Sequence, residues 1–282
     1  IWRGGREVQA ADIAIDASGD VLITGMFNGN TAFGSTVLHY GSSPSEPVRG
    51  VYYAFVAKLR AATGEYAWAT QAGGHYYEGP PLVADYCWGK AIAAAPSGGA
   101  IVVGHAERSA TFELGDRSIT LHATGTYRQF GWVAKINSTG GWEWAEKFGG
   151  GEGYQYGFRF GLAVDPTSGA ALITGGFVGT WTFGNTSITA NAADSRWGGA
   201  LVDVFCAKLD GAGNFVWATR FGTVRVNEYA AAIALDADGA YVAGTSQGQG
   251  LVARLSQSNG VVEWTTLVGG DSRGYGSFGL RD

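Results

Sequence analysis

The stretch "FVAKLRAATGEYAWATQAGG" (residues 55–74) is written three more times along the chain, as "WVAKINSTGGWEWAEKFGG" (132–150), "FCAKLDGAGNFVWATRFG" (205–222) and "LVARLSQSNGVVEWTTLVGG" (251–270). Each line reads as two strands around a reversal. An apolar run ends at a cationic residue, a Gly-bearing turn follows, and a second run is built on Trp68, Trp144, Trp217 or Trp264. Working outward, each line is preceded by a small-apolar strand ending in an acidic or turn signal: "ADIAIDASGD", "KAIAAAPSGG", "GLAVDPTSG" and "AIALDADG". A second strand comes next: "VLITG", "AIVVG", "ALITG" and "YVAG". Three units add a segment with a phenylalanine, "TAFGSTVLHYG", "ATFELGDRSITLHATG" and "WTFGNTSITANA"; the fourth omits it, which shortens the last interval between tryptophans.

Four short strands joined by glycine turns, repeated, specify the blades of a propeller. The expected fold is all-β: a β-propeller with four complete four-stranded blades and orphan strands at both termini. Residues 1–282 read as a single propeller domain or a fragment of one, with units at about 11–74, 88–150, 158–223 and 228–270 and partial strands at 1–5 and 274–282. The orphan strands favour a piece of a larger propeller over a small ring closed by a partial fifth blade. Ala14, Ala93, Ala95, Ala163, Ala232 and Ala234 sit in the first strands, where crowding near an axis admits only small side chains. The tryptophans recur on the last strands, where diverging blades leave gaps to fill. A repetitive β-sandwich is the alternative.

Composition agrees with strands. The 282 residues include 47 glycines, 13 tyrosines and 14 phenylalanines but only 15% charged residues and one methionine, a balance poor in helix formers. A net charge of −5 with scattered cations supplies no field for a phosphate backbone, so nucleic acid is excluded as a partner. No apolar run approaches the roughly 20 residues of a membrane span, and no direct membrane insertion is expected. Cys87 and Cys206 fall at non-equivalent positions in different units and are expected to be buried thiols not joined to each other. Asn137-Ser-Thr and Asn185-Thr-Ser are acceptor sequons in turn-like sequence and point toward secretion.

"VAKL", "GNFVWATRFG", "ALITGGF" and "AIALDADG" resemble the beta-propeller repeat family abbreviated SBBP, found in secreted and surface proteins. The resemblance covers nearly the whole chain. It implies a propeller, an extracellular or cell-surface location and no common catalytic set. Pro96, just after the usual aspartate position of the second unit, and Cys206, in place of a valine, depart from the pattern.

Catalytic motifs are weak. "GTSQG" (244–248) matches G-x-S-x-G, but no helix follows, so Ser246 reads as a loop serine. "GEGYQYG" and "GQGLVA" lack a dinucleotide-binding setting, and no cofactor is expected. His39 and His122 occupy matching places in two units and, like His75 and His105, form no metal-ligand spacing. The acidic turns at Asp16, Asp165 and Asp236 lack the full ligand set of a calcium loop and read as turn formers. No metal site is expected.

The connections between units carry the richest surface: "GGHYYEGPPLVADYCWG", "GGGEGYQYGFRF", "GTVRVNEYA" and "GGDSRGYGS". In a propeller they gather on one face. Tyr76, Tyr77, Glu78, Tyr154, Tyr156, Arg225, Tyr229 and Tyr275 are the candidate ligand-binding residues, with Tyr86, Glu152, Asn227 and Arg273 nearby; gap filling between blades is the competing role. The expected function is a noncatalytic extracellular or cell-surface scaffold that recognises a glycan or an extracellular protein, including other subunits of a surface assembly. The alternative is a carbohydrate-active enzyme, a polysaccharide lyase or glycosidase, using His75, Tyr76 or Tyr77 with Glu78.

Overall fold

The computed structural model describes residues 7–39, 51–73, 86–124, 128–150, 159–191, 201–224 and 226–269. The expected partial strands 1–5 and 274–282 lie outside them. The described secondary structure is all β, and the chain divides into two compact units, 1–150 and 151–282.

In the first unit, β1 (Glu7–Ile15), β2 (Val21–Asn28), the hairpin of β3 (Thr31–Phe33) and β4 (Thr36–Leu38), β5 (Tyr53–Leu59) and β6 (Tyr66–Gly73) are followed by a second set. That set comprises β7 (Cys87–Ala94), β8 (Ala100–Glu107), the hairpin of β9 (Ser109–Leu114) and β10 (Arg117–His122), β11 (Gln129–Ile136) and β12 (Trp142–Phe148). The four-stranded units read from the sequence are present as antiparallel sheets in the orders β1-β2-β5-β6 and β7-β8-β11-β12.

The second unit repeats the plan. Its strands are β13 (Phe160–Val164), β14 (Ala171–Phe177), the hairpin of β15 (Thr180–Phe183) and β16 (Thr186–Thr189), β17 (Asp203–Leu209) and β18 (Phe215–Phe221), then β19 (Glu228–Leu235), β20 (Gly239–Ser246), β21 (Gln249–Ser256) and β22 (Val262–Val268). They form the sheets β13-β14-β17-β18 and β19-β20-β21-β22.

The repeated line owes its form to a feature invisible in composition. In all four sheets the last pair of strands slips by one residue just before the tryptophan: Lys58 faces Trp68, Lys135 faces Trp144, Lys208 faces Trp217 and Arg254 faces Trp264, each at a β-bulge. A bulge adds local twist and re-aims the side chain beside it. Trp68 thereby reaches the β11–β12 turn, where its indole N–H donates to the Ser138 carbonyl at 2.9 Å and its ring covers Gly140. Trp217 does the same to the β21–β22 turn, donating to the Gln257 carbonyl at 3.2 Å and covering Gly260. Both glycines have positive φ, 90° and 74°, so a side chain there would be strained as well as blocked by the ring. The gap-filling role read for the tryptophans is thus a specific joint between adjacent sheets within each unit.

Apolar residues fill the same joints. Leu22, Val56, Ile92, Val102, Phe112, Trp132 and Ala134 share one core in the first unit; Leu172, Val204, Cys206, Val242, Leu251 and Leu255 share another in the second. The Asp12 carboxylate bonds the Ile92 amide at 2.8 Å across the two sheets of the first unit. The expected crowding of the first-strand alanines needs correction. Of the six, only Ala95 is buried; Ala14, Ala93 and Ala163 are half-buried, and Ala232 and Ala234 are exposed. Close approach falls instead on glycines: a Cβ on Gly89 would collide with Thr24, and one on Gly161 would stand 3.0 Å from Ala232 backbone. One sheet can thus lie directly against the next.

The phenylalanine-bearing segments are hairpins, and in the first unit the second of them crosses over. β9 leaves its own sheet and pairs with the outer strand β6 of the preceding one, through Ala72↔Phe112 and Gly73↔Thr111. Cys87 and Cys206 are buried thiols, as expected, and burial pushes the Cys206 thiol far up.

Candidate functional site

Asp16, Asp165 and Asp236 are turn formers, as read from sequence. Asp16 accepts the amides of Ser18 and Asp20, Asp165 those of Thr167 and Ser168, and Asp236 those of Asp238 and Gly239. Asp16 also holds Lys58 at 2.6 Å in a nearly buried pair. Burial alone would raise the Asp16 pKa, but the Lys58 bond and the two amides outweigh it and hold it below the ordinary range. Among the described residues, no group of three His, Cys, Asp or Glu side chains is placed to hold a metal ion. His39 and His122 are exposed; the His39 main chain exchanges hydrogen bonds with the Gln71 side chain, and the His122 carbonyl accepts from Lys147. Ser246 is not a loop serine: it is the buried last residue of β20, and its hydroxyl donates to Glu228 at 3.3 Å.

Of the candidate ligand-binding residues, Tyr76, Tyr77, Glu78, Tyr154, Tyr156, Arg225 and Tyr275 lie outside the described residues, as do His75, Glu152 and Arg273. Tyr229 is exposed at the start of β19. It faces Thr245 on β20 at the step where Trp88 faces His105 on the second sheet, so Tyr229 and Trp88 are matched positions.

Around Trp88 the structure assembles an aromatic ledge. Tyr52, just ahead of β5, forms a parallel bridge with Tyr86, just ahead of β7, and the Cys87 amide donates to the Tyr52 carbonyl. The bridge brings the two rings into a stack with centroids 5.5 Å apart. Trp88 meets both edge-on at 5.8 and 6.1 Å, and His105 packs on Trp88 at 5.1 Å. Lys90 occupies the bulge of β7 and places its ammonium 4.3 Å from the Trp88 ring centroid. The Tyr52 hydroxyl points to Glu7 at 3.4 Å. All of these side chains are half-buried. Burial pushes Lys90 down to about 8, and burial with the nearby Lys90 charge pushes His105 down to about 3, so His105 is neutral at physiological pH. Half-buried rings with a cation beside them suit packing against sugar C–H faces or apolar side chains.

The matched place in the second unit is acidic. Asp203 opens β17 as Tyr53 opens β5; Tyr53 faces Gly73, the last residue of β6, and Asp203 lies against Gly222, just past the end of β18. A Cβ on Gly222 would stand 2.6 Å from Asp203 Oδ1 and 2.8 Å from Glu228 Oε2; one on Gly73 would strike the Tyr53 ring. Asp203 accepts from the Asn191 amide at 2.8 Å and from Arg220 at 3.2 Å. Glu228 accepts the Thr223 amide at 2.8 Å, while its Oε2 has no hydrogen-bond partner among the described residues. Burial, with a smaller push from the Asp203 charge, raises the Glu228 pKa despite the bonds from Thr223 and Ser246. Both carboxyls are buried, so the pair braces the start of β17 and β19 and presents no open acid and base to a substrate.

Sequence reading missed Trp88 and Lys90 because they sit in a strand and its bulge, which read as core, and Tyr52 because it stands at the entry to one. It missed Asp203 although a signal was there: "LVDVF" places an acid where the matched positions of the other units are Tyr53, Phe130 and Gln249. The two sequons differ. Asn185 is exposed in the β15–β16 turn, whereas Asn137 is half-buried and its Oδ1 accepts from the Thr139 amide, the Thr139 hydroxyl and the Gly141 amide.

No protein-family model matches the chain, and no curated protein matches it.

Proposed function

We propose that the four sheets are blades of a β-propeller of the kind the SBBP resemblance implies, and that the chain is a noncatalytic interaction scaffold outside the cell or on its surface. It recognises a glycan or an extracellular protein through the aromatic residues at the connections between sheets. The observation that carries this reading is the half-exposed ledge of Tyr52, Tyr86 and Trp88 beside Lys90, with Tyr229 at the matched place in the second unit. The Trp-to-Gly joints support the propeller, because they let one sheet follow another by a single reused contact.

A glycan array and pull-down from extracellular material, run with the wild type and with Tyr86→Ala and Trp88→Ala, test the reading. Binding that weakens by about tenfold or more in both variants is expected, the usual size for loss of a stacking anchor. Binding that both variants retain in full would remove the ledge from the function. The second reading, a carbohydrate-active enzyme, is favoured by the proximity of Asp203 and Glu228, while their burial weighs against it. Polysaccharide cleavage by the wild type that Glu228→Gln abolishes would establish it.

A further inference from the structure

The first and last sheets of the chain each present a face that the inner sheets bury. Ile13 pairs with Ile23 at the step of the hairpin where Ile92 pairs with Val102. Yet Ile13 is 61% exposed and Ile92 only 4%, and Ile15 stands exposed beside Ile13 at 58%. At the other end, Trp264 occupies the bulge position of Trp217 but is 41% exposed against 9%. Its ring touches only Tyr241 of its own sheet among the described aromatic pairs, at 6.2 Å.

The socket for such a tryptophan is equally plain. Gly64 has φ 72° and nothing within 4 Å of a Cβ, whereas Gly140 and Gly260 lie under Trp68 and Trp217. The β5–β6 turn also shares the framing main-chain bonds of the β21–β22 turn. Arg60 and Gly64 make the same two main-chain bonds as Ser256 and Gly260, which puts the Ala61 carbonyl where the Gln257 carbonyl receives the Trp217 indole. The strand edges repeat the pattern. β6 takes the visiting hairpin strand β9, while among the described residues β22 pairs only with β21 and β3 only with β4. Val268, matched to Ala72 on that edge, is exposed.

We propose that these two faces bind each other between copies of this chain. Trp264 of one molecule seats on the Gly64 turn of a second, its indole N–H donating to the Ala61 carbonyl. The second molecule's β3 lies along the β22 edge, and its Ile13 and Ile15 cover the last sheet. A second copy is the occupant because knob and socket stand exposed on the same chain, which makes the contact head-to-tail. The two joints inside the units show what each half accepts. The inference rests on sheet-to-sheet contacts alone and stands apart from the ligand reading.

Sedimentation of the 282-residue chain over a wide concentration range tests it. The expected result is reversible association above the 29.4 kDa monomer mass. Trp264→Ala and Ile13→Lys change residues exposed in the monomer, so both fold, as thermal melts check. Each weakens association by about thirtyfold or more. Mixing the two variants recovers a 1:1 pair, since each carries the half the other lacks. A wild type that is monomeric at every concentration overturns the proposal, and so does association that both variants and their mixture leave unchanged.

Discussion

The start of the third strand carries Tyr53 in the first sheet and Asp203 in the third, and the two positions teach different things about the same backbone. In the first unit the neighbouring connection supports rings: Tyr52, Tyr86, Trp88 and His105 stack into a ledge. In the second, the same place holds an Asp203–Arg220 ion pair and a buried Glu228. Both rely on a glycine at or just past the end of the last strand, Gly73 or Gly222, whose missing side chain makes the room. The repeat therefore specifies the strands and the joint, while the contents of this corner vary from unit to unit.

Breaking the acidic corner has the largest expected effect. Asp203→Ala removes the buried carboxylate that the Asn191 amide and the exposed Arg220 both bond, and is expected to destabilise the protein by about 3 kcal/mol, the size of losing charge-assisted hydrogen bonds to a buried acceptor. Chemical denaturation measures it, and a loss below a few tenths would show that the corner is not a brace. Filling the aromatic corner comes next: Gly73→Ala drives a methyl into the Tyr53 ring and is expected to cost about 2 kcal/mol by overpacking. If the substitution proves neutral, the ring has somewhere else to go.

Opposite pH slopes sharpen the contrast further. The Glu228 pKa is raised by burial, so its contribution to stability is full below the ordinary value of 4.5 and lost as pH rises through the native value. His105 is lowered to about 3 by burial; its contribution is full above 6.5 and lost as pH falls through about 3. Glu228→Gln should flatten the upper slope and His105→Gln the lower one, read from denaturation midpoints across pH. Identical profiles for variant and wild type would contradict the assignment. The smallest effect concerns the sequons. In a secretory host, glycan should attach at the exposed Asn185 and much less at Asn137, whose side chain the turn already engages. Peptide mass mapping distinguishes them, and equal occupancy would mean that the Asn137 turn opens easily.

The strands were legible because alternation, glycine turns and a fourfold line all point to the same pairing. The tryptophans announced a joint, but neither the bulge that aims them nor the visiting hairpin β9 leaves a mark in composition, since both are matters of register. The crowding assigned to alanines such as Ala232 belongs to Gly89 and Gly161, because the bare residue, not the small one, sets how close two backbones approach. At the candidate site, Asp203 was discoverable by lining up the four units. Trp88 was not, because a strand aromatic reads as core until Tyr52 and Tyr86 are seen beside it. Most of the candidate tyrosines fall in connections outside the described residues, and the ledge at Tyr52, Tyr86 and Trp88 is one of the places where described aromatics meet without being fully buried.

The crossing of β9 onto β6 has a mechanical consequence. Because one sheet of the first unit is edged by a hairpin that the chain connects to the next, parting the two sheets breaks main-chain pairing at Ala72↔Phe112 and Gly73↔Thr111 as well as the apolar contact between their faces, so they come apart at a higher cost than side-chain packing alone would set.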